Sequence, residues 1–133
     1  MNPSSALPFI GLYRRYRLNS LLAEFSRRAG ECESTQGVYR ELEAVLLKLI
    51  QFDRIAVRFV NFESNTLENT YANGEVLPSW DNNPRRMLSK TATEAITSSG
   101  EPLLIPDCRD AEILERFPNL SESAAKLPSM LGV

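Results

Sequence analysis

Two residue counts limit the catalytic chemistry of this chain: it contains two cysteines and no histidine. Without an imidazole it can form no Ser-His or Cys-His nucleophile pair, no zinc site with imidazole ligands and no haem held by a proximal histidine. Cys32 and Cys108 are far apart in the sequence and form no CxxC motif. Isolated thiols are typical of a reducing compartment, so we expect a cytoplasmic protein.

Arginine and aromatic residues offer binding chemistry in the middle of the chain. Trp80, Arg85 and Arg86 lie in or beside a long connection, where an indole can wall a ligand and a guanidinium can clamp a carboxylate or phosphate. The alternative is that Trp80 covers the apolar face of a sheet and the arginines are solvated. Arg58 and Tyr71, on neighbouring predicted strands, are candidates for polar pocket groups, with ordinary strand-surface positions as the alternative.

The segment around Cys108 carries a thiol and an acidic cluster. Cys108 could be a redox sensor or a chromophore attachment point, but a buried, inert cysteine is the favoured interpretation. Asp107, Asp110 and Glu112 could bind a hard cation. A turn former at Asp107 and a helix N-cap at Asp110 explain these residues more simply, so we expect no metal site.

Charge and length favour one domain without a nucleic-acid or membrane role. Among 133 residues, 15 Lys and Arg oppose 17 Asp and Glu, which gives a net charge of −2 and no pull toward nucleic acid. The basic-aromatic run over 13–17 is interpreted as a solvated helical turn. The start of the chain lacks the pattern of a signal peptide, and the longest apolar stretch, 42–50, is too short and too charged to span a membrane.

Hydrophobic periodicity predicts helices in the first third of the chain. Residues 1–15 are predicted to be an N-terminal tail, extended through residue 12. Apolar residues spaced by three and four predict a helix over 16–29 that stops at Gly30. A second helix is predicted from Ser34 or Thr35, as N-cap, to near Ile50.

The remaining pattern predicts an α+β fold with a mainly antiparallel sheet. The period changes to two at Arg54, which predicts a hairpin of strands over 54–62 and 66–72. Beyond the hairpin we predict, in order, a long connection over 75–86, a helix from Met87 or Leu88 to Ser99 capped by Gly100, a strand at 103–105, helical pieces over 111–116 and 121–126, and a strand from Met130.

Three stretches carry a resemblance to a known family. They read QFDRIAV at 51–57, SGEPLLIPD at 99–107 and LPSMLGV at 127–133. Over residues 16–133 this pattern resembles the GAF domain, a small-molecule sensing module of signalling proteins. The resemblance implies a twisted antiparallel sheet with the N-terminal helices on one face. On the other face, loops and short helices would form a ligand pocket.

The resemblance also implies a place for a ligand. In nucleotide-binding relatives, backbone amides at the start of the helix over the pocket receive the ligand, and the matching stretch here is Thr91-Ala92-Thr93. The glycines that relatives often carry there are absent, and a plainly packed helix start is the alternative. A covalent bilin is not expected, because relatives attach it through a cysteine elsewhere in the domain, often beside a histidine. The identity of any cofactor stays unknown.

In family terms the chain stops inside a strand, before the last strands and the closing helix. An incomplete sheet exposes an edge, so we expect strand exchange or addition by another chain, or a larger parent protein. The favoured function is a non-catalytic regulatory domain of a signal-transduction protein, which binds a small ligand and homodimerises through its N-terminal helices. The alternatives are a dimerisation scaffold with Trp80 and Phe59 filling the pocket, and a thiol enzyme related to methionine-sulfoxide reductases, with Cys108 as its thiol.

Overall fold

A computed structural model describes residues 7–133, with side chains from residue 11 onward. The chain divides into two units between Phe52 and Asp53. The described part of the first unit is helical, and the second combines short helices with two antiparallel sheets. The α+β class predicted from the sequence is therefore confirmed. Its placement of the N-terminal helices on one sheet face stays a prediction.

The first helix, α1, spans Leu7–Glu31, so the extended tail predicted through residue 12 is wrong from Leu7 onward. Pro8 lies in the first turn, where a missing backbone N–H costs no hydrogen bond. Residues 1–6 of that prediction lie outside the described residues. Of the predicted apolar stripe, Leu21 is buried, whereas Leu18 and Leu22 are exposed.

The second helix, α2, spans Thr35–Leu49 and begins as predicted, with the Ser34 hydroxyl accepting a hydrogen bond from the Gly37 amide at 3.1 Å. It packs against α1, and Val45 is its buried residue. The Arg17 guanidinium donates to the Lys48 carbonyl at 2.9 Å. The C-terminal end of α2 therefore lies within reach of the Arg17 side chain of α1.

The second unit begins with a three-stranded sheet of order β1-β2-β3, all antiparallel. Its strands are β1 (Arg54–Asn61), β2 (Thr66–Gly74) and β3 (Arg85–Met87). The predicted hairpin is confirmed: the Asn61 side chain accepts hydrogen bonds from the amides of Glu63 and Ser64 in its turn.

A β-bulge interrupts the pairing of β1 with β2. Val57 faces Tyr71 and Arg58 faces Asn69, so Thr70 has no opposite residue. The Thr70 hydroxyl donates to the Val57 carbonyl at 3.1 Å. Because directly opposed residues share a face and successive residues alternate, Arg58 and Asn69 lie on one face of the sheet and Tyr71 lies on the other.

The predicted connection over 75–86 contains a short helix, α3 (Pro78–Asn82), and then leads into β3. Buried Leu67, Leu77, Trp80 and Leu88 form a core over the Arg58 face of the sheet. Helix α4 spans Ala92–Ser99, so the predicted start at 87 or 88 is wrong. Lys90, with φ of 60°, lies outside helical backbone space and prevents an earlier start.

A second sheet pairs β4 (Leu103–Ile105) with β5 (Met130–Gly132). Between them lie α5 (Ala111–Arg116) and a 3₁₀ helix at Pro118–Glu122, where the sequence predicted a helical stretch over 121–126. Ile105, Cys108 and Phe117 are buried in this part of the unit. No helix in residues 7–133 is long and apolar enough to cross a membrane.

Candidate ligand site

Arg58, Trp80 and Arg86 form one group, here called the arginine–tryptophan cluster. Trp80 is 5% exposed and packs in the core beneath α3. The guanidinium carbon of Arg58 lies 4.4 Å from the centroid of the indole ring, and that of Arg86 lies 3.8 Å from it. Both distances are typical of cation–π contacts, so the indole positions two positive charges.

Arg58 joins three elements of the second unit. Its Nε donates to the Asn69 Oδ1 on β2 at 3.0 Å, and its Nη1 donates to the Thr93 Oγ1 in the first turn of α4 at 2.9 Å. Burial, followed by repulsion from the positive charges of Arg54 and Arg86, lowers the pKa of Arg58 to about 10. Within the described residues, no carboxylate forms an ion pair with it.

Arg86 binds a carboxylate and a hydroxyl at the edge of the cluster. Its Nη1 donates to the Glu122 Oε2 and its Nη2 donates to the Ser79 Oγ, both at 3.1 Å. The Ser79 hydroxyl also donates to the Glu122 Oε2, at 2.6 Å. These two donors, Ser79 first, lower the pKa of Glu122. The Arg86 Nε is buried and has no hydrogen-bond partner among the described residues.

Arg54, at the start of β1, is a third guanidinium whose charge acts on Arg58, and sequence reasoning missed it. Its side chain is 7% exposed and donates to the Asp81 Oδ1 at 3.0 Å and to the Glu75 carbonyl at 2.8 Å. The Arg54 hydrogen bond is the main reason why the pKa of Asp81 is lowered. The strand period places Arg54 on the same face as Arg58, which is the signal that could have found it.

An open groove of about 610 Å³ lies beside Arg86. Its lining comes from β2, β3, the 3₁₀ helix and the α3 region: Thr66, Ser79, Asn83, Arg85, Arg86, Met87 and Glu122. Of the arginine–tryptophan cluster, Arg86 lines this groove.

The other predicted site residues lie in different settings. Thr91 is the N-cap of α4, accepting from the Glu94 amide at 3.1 Å and donating to the Leu88 carbonyl at 2.7 Å. Ala92 is 4% exposed and belongs to the core around Ile105. The structure gives these two residues capping and packing roles, whereas Thr93 reaches Arg58. Tyr71 lies on the sheet face opposite Arg58.

The structural interpretation of the acidic segment is confirmed. The Asp107 carboxylate accepts from the backbone amide and the Nε of Arg109, and Asp110 caps α5 by accepting from the Glu112 amide. Cys108 is 1% exposed. Burial, with a smaller effect of Asp107, raises the pKa of the Cys108 thiol, so the reactive thiolate is disfavoured at neutral pH.

Comparison with known proteins gives no family assignment. No protein-family model matches the sequence, and no curated protein is significantly similar to it. The chemistry of the chain is therefore inferred from the arginine–tryptophan cluster and the groove beside it.

Proposed function

We propose that this chain is a regulatory ligand-sensing and dimerisation module of a signal-transduction protein, similar to a GAF domain and non-catalytic by itself. The observation that carries this proposal is the arginine–tryptophan cluster. Two guanidinium groups are held on one buried indole, beside an open groove lined by polar side chains and Met87. Such convergent polar groups are typical of small-molecule sites.

The position of the cluster supports a role in signalling. Arg58 contacts β2 and α4, and Arg86 contacts α3 and the 3₁₀ helix. A ligand that binds the two guanidiniums therefore competes with or reinforces contacts between separate elements. Regulation requires only that the ligand binds two arrangements of these elements with different affinities.

Helix α1 supports the dimerisation part of the proposal. It has 25 residues against 15 in α2, and its first half exposes large apolar side chains. Leu12, Tyr13 and Tyr16 are 62%, 66% and 73% exposed. An apolar helical surface of this kind is suited to pairing with a second copy. Strand exchange at the β4–β5 sheet is a second possible contribution to the homodimer.

The remaining parts of the proposal concern location and class. Cys32 and Cys108 are both free thiols, which supports a reducing, cytoplasmic location. Burial of Cys108 and its raised pKa disfavour the thiol-enzyme alternative. That alternative is tested by assaying methionine-sulfoxide reduction with wild-type protein and Cys108→Ser; activity lost in the variant would restore it.

A scaffold that binds no ligand is the second candidate, and the burial of Trp80 favours it. The indole occupies space that a ligand would need. Phe59, however, is 64% exposed and lies on the sheet face opposite Arg58. The sequence-based version of this candidate, with Phe59 filling the same pocket, is therefore wrong.

Thermal denaturation with a ligand panel separates the two candidates. The panel contains cyclic nucleotides, amino acids and organic acids, and a ligand of the native state raises the melting temperature in a concentration-dependent way. We expect at least one class to do so, and to lose its effect in Arg58→Gln. No stabilisation by any compound would favour the scaffold.

Sedimentation velocity tests dimerisation. We expect a concentration-dependent dimer that Tyr16→Glu shifts to monomer, since a charge at an apolar interface is costly. Gly11→Glu adds the same charge at an exposed position with open space around it, about 140° around α1 from Tyr16; it is the matched control and should leave the dimer intact. A wild-type monomer at all concentrations would remove this part of the proposal.

A further inference from the structure

The charges around Trp80 do not balance. Arg54 is paired with Asp81 and Arg86 with Glu122, both within hydrogen-bond distance. Burial and the positive charges of both neighbours lower the pKa of Arg58. Its hydrogen-bond partners Asn69 and Thr93 are neutral. Three guanidiniums thus share two carboxylates, and the positive charge of Arg58 is uncompensated within the described residues.

A partly buried, uncompensated guanidinium is unfavourable, because burial removes water from the charge and leaves like charges weakly screened. The indole of Trp80 relieves this only in part, since a cation–π contact is weaker than a charge-assisted hydrogen bond. The buried Nε of Arg86, whose guanidinium lies over the same ring, also has no hydrogen-bond acceptor among the described residues. Both observations favour an additional hydrogen-bond acceptor that carries a negative charge.

We propose that the arginine–tryptophan cluster binds the oxyanion of a small acid, a carboxylate or a phosphate group, with Arg58 supplying the compensating positive charge. This inference rests on the proposed ligand-sensing function and names its ligand class. Trp80 is a positioning residue here, since the guanidiniums already lie over its ring and it is buried. Asn69 and Thr93 fix the orientation of Arg58 and leave it without a competing internal anion.

The groove beside Arg86 is consistent with this ligand class. Ser79, Asn83 and Arg85 contribute a hydroxyl, an amide and a second guanidinium to its lining, and Glu122 is the acidic residue among the described residues that line it. The Glu122 carboxylate is already held by Arg86 and Ser79. An anion that enters the groove therefore meets several hydrogen-bond donors, and the negative charge of Glu122 is already neutralised by Arg86.

The first test is thermal denaturation with inorganic phosphate, succinate and neutral glucose, at one ionic strength maintained with sodium chloride. We expect phosphate or succinate to raise the melting temperature by about 2–5 °C at saturating concentration, and glucose to have no effect. A larger shift with inorganic phosphate identifies a phosphate group as the ligand, and a larger shift with succinate identifies a carboxylate. Equal, negligible shifts with both anions would overturn the inference.

Variants assign the effect to Arg58. Arg58→Gln should abolish the shift, and Arg58→Lys, which keeps the charge and loses the planar fork, should weaken binding at least about fivefold. Arg27→Gln on α1, an exposed position that loses the same charge, should behave as wild type. An undiminished shift in Arg58→Gln would overturn the assignment.

Arginine NMR keeps the inference testable even if Arg58→Gln does not fold. In wild-type protein, added phosphate or succinate should displace the Nε–Hε signal that is missing from Arg58→Lys. If neutral compounds bind and depend on Arg58 while both anions leave this signal unchanged, ligand sensing stands and the anion inference fails. If no compound of either kind binds, both fail.

Discussion

The guanidinium of Arg86 lies 3.8 Å from the centre of the Trp80 ring. Arg86 belongs to β3 and Trp80 to α3, two short elements that have little internal structure of their own. Their contact places an arginine that also binds Ser79 and Glu122 over the core of the three-stranded sheet. The indole therefore has two functions: its ring packs in the apolar core, and its π face forms cation–π contacts with two guanidinium groups.

Replacing Trp80 by Ala should destabilise the second unit by about 3–5 kcal/mol, because it leaves a cavity over Leu67 and removes the support of two guanidiniums. Urea denaturation followed by circular dichroism measures this change. Phe59→Ala removes a side chain that is 64% exposed and should cost less than about 1 kcal/mol. Equal losses in the two variants would contradict the central position of Trp80.

Stability should fall in mild acid. Glu122 and Asp81 have pKa values lowered below their ordinary 4.5 and 3.8 by Ser79, Arg86 and Arg54. The unfolded chain therefore binds protons at a higher pH than the native state does. The stabilisation is fully present above pH 5 and is lost as the pH falls through 4.5 and 3.8 toward the lowered native values.

Urea denaturation between pH 3 and pH 7, followed by the fluorescence of the single tryptophan, measures this loss. Glu122→Gln should make the decline shallower, because the variant carries no titrating group beside Arg86. Glu63→Gln removes the same charge from an exposed turn and should keep the wild-type slope. An unchanged slope in Glu122→Gln would show that the Arg86 contact adds nothing to stability.

Gly74 and Gly100 both have positive φ, but a Cβ would collide with a neighbour only at Gly74. Gly74 has φ of 105°, and a Cβ there would collide with the carbonyl oxygen of Asp53. Gly100, the C-cap of α4, has φ of 69° with open space around it. Gly100→Ala should cost about 1–2 kcal/mol, and Gly74→Ala at least about 3 kcal/mol. Urea denaturation checks the order; Gly100→Ala as the costlier change would contradict it.

The two thiols should differ in reactivity. Cys32 is partly exposed, whereas Cys108 is 1% exposed with a raised pKa. With a disulfide reagent at pH 8, Cys108 should react at least about tenfold more slowly than Cys32 in native protein. In the Cys32→Ser variant, the remaining thiol of Cys108 should be labelled only when urea unfolds the protein. Fast labelling of native Cys32→Ser would mean that the Cys108 site opens readily.

The sequence predicted elements whose signals are local. Helix α2 has a Ser34 cap and an apolar period, the hairpin has a change of period, and Gly100 ends α4. By contrast, β3 and α3 are three and five residues long. Elements this short show no hydrophobic periodicity in the sequence. Their structure depends on packing against the core around Leu67, and this packing exists only in the folded chain.

The site was predicted as separate residues and not as an arrangement. Arg58, Trp80 and Arg86 were all named, but nothing in their spacing shows that they share one ring. Glu122 lies 43 positions from Ser79, and only the fold brings them together. The sequence could not decide between the two interpretations of Thr91 and Ala92, because a capped, packed helix start and a ligand-binding one have the same residue pattern.

Thr70, the bulged residue of β2, reverses the alternation of side chains along that strand. Asn69 and Tyr71 are two residues apart, a spacing that in a regular strand directs both side chains to the same side. The additional residue places Asn69 and Tyr71 on opposite faces of the sheet. The order of inward and outward side chains is therefore reversed in the part of β2 that follows it. If Thr70 instead took a regular place opposite Val57, Tyr71 and Asn73 would turn inward, and the composition of the buried layer would change without any substitution.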